Sequence, residues 1–215
     1  MTTYFGIGLG RPPGQGWVRL PEEPESTGKS PLAALRAKSK DKNKNNEDLT
    51  EWAATTAGDL LGPGPDPARK AQYAETLADL AAGARKRDVR LGYAWIPNDV
   101  GAVVAKIDIS VIHTTREHPE LTLDLLERRF AGRDAATLEL EVSRTELPVG
   151  PAVRLRREWG SADSPADAVV SVTYLVRPPA IRNAISYSMY WVLVDDDPLL
   201  TEIADSTAET LSITT

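Results

Sequence analysis

The residues best suited to general acid–base work are the chain's two histidines, His113 and His118. An imidazole exchanges a proton near neutral pH, so His113, at the end of a predicted strand, is the candidate general base. No Gly-x-Ser-x-Gly elbow or comparable nucleophile turn accompanies it, and His118 stands before Pro119, where it reads as the start of a helix. With no cysteine in the chain there is no thiol chemistry and no disulfide, and most transition-metal sites lose their usual ligands. Asp195-Asp196-Asp197 offers carboxylates for a hard cation, but consecutive residues at a strand end point in different directions. Asp197 before Pro198 is better read as a helix cap.

Two glycine patterns imitate phosphate cradles. Ser26-Thr27-Gly28-Lys29-Ser30 matches the second half of a P-loop, but position 23, where the first glycine must stand, is Glu23. Glu22 and Glu25 add negative charge where backbone amides would have to hold phosphate. Gly6, Gly8 and Gly10 suggest a dinucleotide fingerprint, yet no strand precedes them and the last glycine is misplaced, so a flexible N-terminus is expected. No cofactor or metal is expected.

The remaining chemistry is that of recognition. Five tryptophans stand in the chain. Trp52, Trp95 and Trp191 fall on apolar faces and read as core, whereas Trp17 and Trp159 lie near element ends beside Arg19, Arg156 and Arg157. Tryptophan and arginine together are favoured at protein–protein hot spots. Arg154, Arg156 and Trp159 are therefore the expected protein-binding residues. The run Lys38 to Lys44 has no interleaved aromatics and no amphipathic helix to carry it, and reads as a solvated linker.

The elements that must position these residues follow from periodicity. Val170, Val172, Tyr174 and Val176, then Ile185, Tyr187, Met189, Trp191 and Leu193, recur at every second position, as in strands with one buried face. Pro178-Pro179 falls in the loop between them. The helix after Asp197 puts Leu199, Leu200, Ile203, Ala204, Thr207 and Leu211 on one side, able to cover a sheet. Further upstream, Trp17 to Leu20 reads as a short strand, Glu47 to Leu61 and Pro67 to Arg87 as a helical hairpin, and Leu91, Tyr93 and Trp95 as a strand. In the next strand Ala105, Ile107, Ile109 and Val111 share a face, with Lys106, Asp108 and Ser110 on a wet side. A short helix is expected from Pro119 to Gly132, with Leu121, Leu125, Leu126 and Phe130 apolar. Leu138, Leu140 and Val142, then Val153 and Leu155, form a hairpin. If Leu140, Val142, Val153 and Leu155 all face the core, Val142 lies opposite Leu155 and Glu141 opposite Arg156 as an exposed pair.

The expected fold is α+β: a twisted antiparallel sheet flanked by helices, with a helical hairpin before the main sheet strands. One domain is expected, with an N-terminal lead-in and short strand at 1–21, a flexible tether at 22–46, the hairpin at 47–89 and the α+β core at 90–215. The 215 residues, 41% hydrophobic and 26% charged, suffice for a real core. A net charge of −6 argues against a dedicated nucleic-acid binder. Neither a leader peptide nor a spanning segment is read, so a cytoplasmic location and no membrane partner are expected.

The order of elements through Gly150-Pro151-Ala152-Val153-Arg154-Leu155-Arg156-Arg157, the strand ending Val176-Arg177-Pro178 and the strand running into Asp197-Pro198 and a closing helix resembles the Mog1/PsbP-like α+β superfamily. The resemblance is to its small, mostly uncharacterised actinobacterial members and covers roughly residues 90 to 212. It implies a twisted antiparallel sheet and a binding or assembly role without a common active site, and it transfers no functional residue. The helical hairpin and the missing export signal depart from the pattern. The function expected is thus a non-enzymatic macromolecular binding protein (adaptor, assembly factor or immunity-type protein) with a protein partner, open to self-association. The alternatives are a hydrolase-like enzyme using His113 and a structural subunit of a larger assembly.

Overall fold

The computed structural model describes residues 5–13, 15–21, 48–97, 102–161, 164–192 and 197–214. The P-loop-like Ser26 to Ser30, the expected tether, Asp195 and Asp196 lie outside the described residues. In chain order the elements are β1 (Gly6–Gly8), β2 (Trp17–Arg19), α1 (48–61), α2 (Pro67–Lys86), β3 (Leu91–Trp95), β4 (Ala105–Ile112) and α3 (Leu123–Phe130). Then come β5 (Thr137–Leu147), β6 (Gly150–Ser161), β7 (Ser164–Val176), β8 (Ala184–Val192), α4 (Asp197–Ala208) and β9 (Ser212–Thr214). Seven strands make one sheet in the order β2-β3-β4-β8-β7-β6-β5, and every neighbouring pair is antiparallel. The fold is α+β, as expected.

Because strand side chains alternate, the sheet has two distinct faces. On one, Tyr93, Ile107, Tyr187, Met189, Val172 and Tyr174 pack beneath Leu200, Ala204 and Ala208 of α4. On the other, the α1–α2 hairpin covers Val18, Leu20, Ala94 and Ile96, while α3 covers Val153, Leu155, Leu175 and Ala184. Local chemistry explains the helix ends. Asp66 accepts a hydrogen bond from the Ala68 amide at 3.1 Å and Pro67 fills the first turn of α2, where a missing N–H costs nothing.

Several expectations change. α3 begins at Leu123, because the Thr122 hydroxyl accepts from the Leu125 amide and caps the helix there, not at Pro119. The N-terminal glycines are not a flexible lead-in: β1 pairs antiparallel with β9, and a Cβ at Gly8 would require the Ser212 hydroxyl to turn away. Asp108, expected on a wet face, is 8% exposed because α2 ends above it. Val142, expected in the core, and Leu138, of the same alternating apolar row, are each 40% exposed because β5 is the sheet's last strand and α3 meets it only through Arg144, which pairs with Asp124 and Glu127. The hairpin register itself is as expected, with Val142 opposite Leu155 and Glu141 opposite Arg156.

That hairpin turns through Pro148-Val149 into Gly150, whose φ of +134° is one that L side chains rarely adopt. A Cβ there would also meet Arg177 O and Pro179 Cδ at 3.0 Å. Gly150→Ala should therefore lose about 1–3 kcal/mol of stability, measured by urea unfolding. A variant as stable as the parent would contradict the strain read from this turn.

Candidate protein-binding surface

β6 carries all three expected contact residues but does not gather them on one face. Ala152, Arg154, Arg156 and Glu158 point toward α4; Val153, Leu155, Arg157 and Trp159 point the other way. On the α4 side, Arg154 Nε and Nη2 donate to the two oxygens of Asp205 at 3.0 Å each, and the Tyr174 hydroxyl donates to the same carboxylate at 2.8 Å. Arg156 Nη2 donates to Glu158 at 2.8 Å and to Asp197 at 2.7 Å, and Nη1 lies 3.6 Å from Glu139. The expected exposed Glu141–Arg156 pair is thus replaced: the residues are opposite, but Arg156 turns inward to other carboxylates and its side chain is 12% exposed. Asp197 likewise spends its carboxylate on Trp191 Nε1, at 2.8 Å, and on Arg156.

Electrostatics follows from this packing. Burial alone would disfavour charge on Arg154, but the bonded carboxylate of Asp205 outweighs it and holds the guanidinium above its ordinary range. Burial pushes the Tyr174 phenol up, and Asp205 adds to the effect.

The opposite face is organised differently. Between the ground covered by the α1–α2 hairpin and that covered by α3, the sheet presents Lys106, Asp108, Ser171, Thr173, Ser188 and Tyr190. Arg87, at the end of α2, donates to Asp108 Oδ2 at 3.0 Å, and Lys106 lies 3.7 Å from the same oxygen. Thr173 and Ser188 share a hydrogen bond of 2.9 Å. At the end of this strip Trp159 stacks on Tyr190, with ring centroids 6.5 Å apart and planes at 15°. Arg157 lies 5.3 Å from the Trp159 ring and Lys106 4.7 Å from the Tyr190 ring. Arg157 is fixed by donating Nη2 to the carbonyls of Phe130 and Gly132, so the end of α3 aims it. Val192, 47% exposed, borders the stack, and neither it nor Trp159 nor Tyr190 belongs to the three core clusters.

Tyr190 and Val192 escaped the sequence reading, and Lys106 reads there only as part of a wet face. Their signal was there: they are the residues skipped by the apolar alternations of β4 and β8. His113 and His118 are exposed in and beside the loop that follows β4, and among the described residues neither imidazole makes a hydrogen bond or ion pair. No cluster of potential metal ligands is found among the described residues, and no described helix is long and apolar enough to cross a membrane.

No protein-family model matches the chain, and no curated protein matches it. Among solved structures it is similar to LpqN of Mycobacterium tuberculosis, described as involved in cell envelope biogenesis: 11% identity, TM-score 0.48, with 99% of this chain and 85% of that one covered. It is also similar to the Ran-binding protein Mog1p of Saccharomyces cerevisiae, at 13% identity and TM-score 0.34, over 57% of this chain and 77% of that one. A mutant form of Mog1 gives 13% identity and TM-score 0.34, over 57% and 78%.

Arg154→Ala should lose about 1.5–3 kcal/mol in urea unfolding, as for a charged hydrogen-bonding group removed from partial burial. A double-mutant cycle with Asp205→Ala should show strong coupling, and additive losses would contradict the pairing. Burial raises the phenols of Tyr174, Tyr187 and Tyr190 in the folded state. A raised folded value favours the protonated form, so this contribution is intact below the unfolded value of about 10 and lost as pH rises beyond it. Stability should fall steeply above about pH 10, and Tyr187→Phe should flatten that fall in unfolding measured across the alkaline range.

Proposed function

We propose that this chain is a non-catalytic binding protein, an adaptor or assembly factor, that presents the open end of its helical-hairpin sheet face to a protein partner. The observation that carries the reading is the Trp159–Tyr190 stack, flanked by Arg157 and Lys106 and bordered by exposed Val192. Aromatic and arginine side chains held rigid on strands lose little entropy on contact, which is why hot spots favour them. Apolar rings edged by cations suit a partner segment carrying apolar side chains beside carboxylates, with the charges steering the encounter. In this reading Trp159 touches the partner. Arg154 and Arg156 act from behind, by keeping α4 and the sheet in register.

The test uses the full chain as bait in the cell that makes it, with mass spectrometry to identify the partner and purified components to measure affinity. Trp159→Ala should weaken the complex about 30-fold or more, the scale of a 2 kcal/mol hot spot. Leu199→Ala, at an exposed position of α4 on the other face, should leave it unchanged. A partner held equally well by Trp159→Ala, or a hydrolytic activity abolished by His113→Ala, would overturn the reading.

A further inference from the structure

The two edges of the sheet are unlike. β2 offers three residues, whereas β5 offers eleven, and no described strand pairs with the outer side of β5. Which backbone groups face outward follows from Pro151. It has no N–H, and its carbonyl accepts from the Arg177 amide at 2.9 Å, so it makes no ladder bond to its opposite residue, Glu146. Bonded and unbonded pairs alternate along an antiparallel ladder, so Arg144, Val142 and Leu140 also turn their N–H and C=O groups away from β6. Arg133 Nη2, donating to Leu140 O at 3.4 Å from outside the sheet, agrees with that direction. Leu138 and Val142 are two of the large apolar side chains left exposed.

We propose that β5 pairs with β5 of a second copy of this chain, antiparallel, about a two-fold axis through Val142. A two-fold axis normal to the sheet keeps like faces together, so each residue must oppose one of the same parity. With the axis at Val142 the stretch from Glu139 to Thr145 pairs with itself, short of the register shift between Thr137 and Glu139. Val142 meets Val142, Leu140 meets Arg144, Glu141 meets Ser143 and Glu139 meets Thr145. No like charges stand directly opposite one another. Moving the axis to Glu141 sets that carboxylate against itself, moving it to Leu140 sets Glu139 against Glu141 twice, and moving it to Arg144 opposes two guanidinium groups. Like charges directly opposite are unfavourable. An axis at Ser143 also avoids such pairs but sets Val142 against Arg144 and leaves no apolar pair across the axis, and an axis at Thr145 leaves the first half of β5 unpaired. The register that sets the two exposed Val142 side chains against each other is therefore also one that the charges allow. It pairs the edge groups that β6 does not use, replacing the Arg133 contact to Leu140 O, covers Val142 and joins two seven-stranded sheets into one.

Sedimentation equilibrium of the full chain should show the mass rising with concentration from 23.3 kDa toward twice that value. Val142→Pro removes an N–H that β6 does not use, so the fold should persist, with its circular dichroism unchanged, while the dimer is lost. The chain has no cysteine of its own. Val142→Cys should form disulfide-linked dimers under mild oxidation, since directly opposed bonded residues lie about 5.5 Å apart between Cα atoms. Ser143→Cys should not. A monomer at every concentration, a dimer that survives Val142→Pro, or cross-linking by Ser143→Cys in place of Val142→Cys would overturn the proposal.

Discussion

Arg154 and Arg156 reach from β6 to the carboxylates of α4, and the layer above the sheet depends on that reach. Each guanidinium leaves water only because acceptors wait for it: Asp205, shared with the Tyr174 hydroxyl, and Asp197, shared with the Trp191 indole. Such pairs add little net stability relative to apolar packing, but losing one partner strands a charge in a poorly solvated place. Their effect here is positional. Leu200, Ala204 and Ala208 could slide over an apolar sheet at small cost, whereas two carboxylates at opposite ends of α4 fit two arginines in one way.

The other face meets a different constraint, since two helical units share it and leave a polar strip between them. Asp108 can be buried there because Arg87 and Lys106 converge on one of its oxygens. Ser188 and Thr173 satisfy each other beside it. The strip separates the two apolar clusters and carries the Trp159–Tyr190 stack at its open end. A surface rigid enough to recognise a partner thus arises where neither helical unit extends. Arg157 links it to the fold by reading the C-terminal carbonyls of α3.

The sheet treats its edges by length and cover. At β2 the strand is short, Trp17 stacks on Trp95 with centroids 6.0 Å apart, and both indole N–H groups are tied to the preceding segment, at Pro13 O and Gln15 O. Among the described residues no strand covers β5, and its own charges with the Arg133 contact to Leu140 O moderate the open ladder. The contrast gives the molecule one closed side and one side open to further pairing.

Period and local chemistry made much of this fold legible from residues alone. Alternation located β4, β7 and β8 and gave the core face of each, because a strand's side-chain period is fixed by its backbone. The caps and apolar stripes located α1, α2 and α4, and the demand that Leu140, Val142, Val153 and Leu155 share one face set Glu141 opposite Arg156. What the sequence could not supply was which neighbour lies beyond each face. Leu138 and Val142 alternate like core residues, yet sit on the outermost strand, because strand order is decided by the packing of distant segments. Arg156 reads as an exposed cation until α4, far along the chain, brings Asp197 to it. Gly6 and Gly8 read as a loose end until β9 pairs with them from the opposite end of the sequence. Local patterns specify which elements form and which side of each is apolar. Only the assembled chain decides which polar groups lose their water, since that depends on partners that no local spacing encodes.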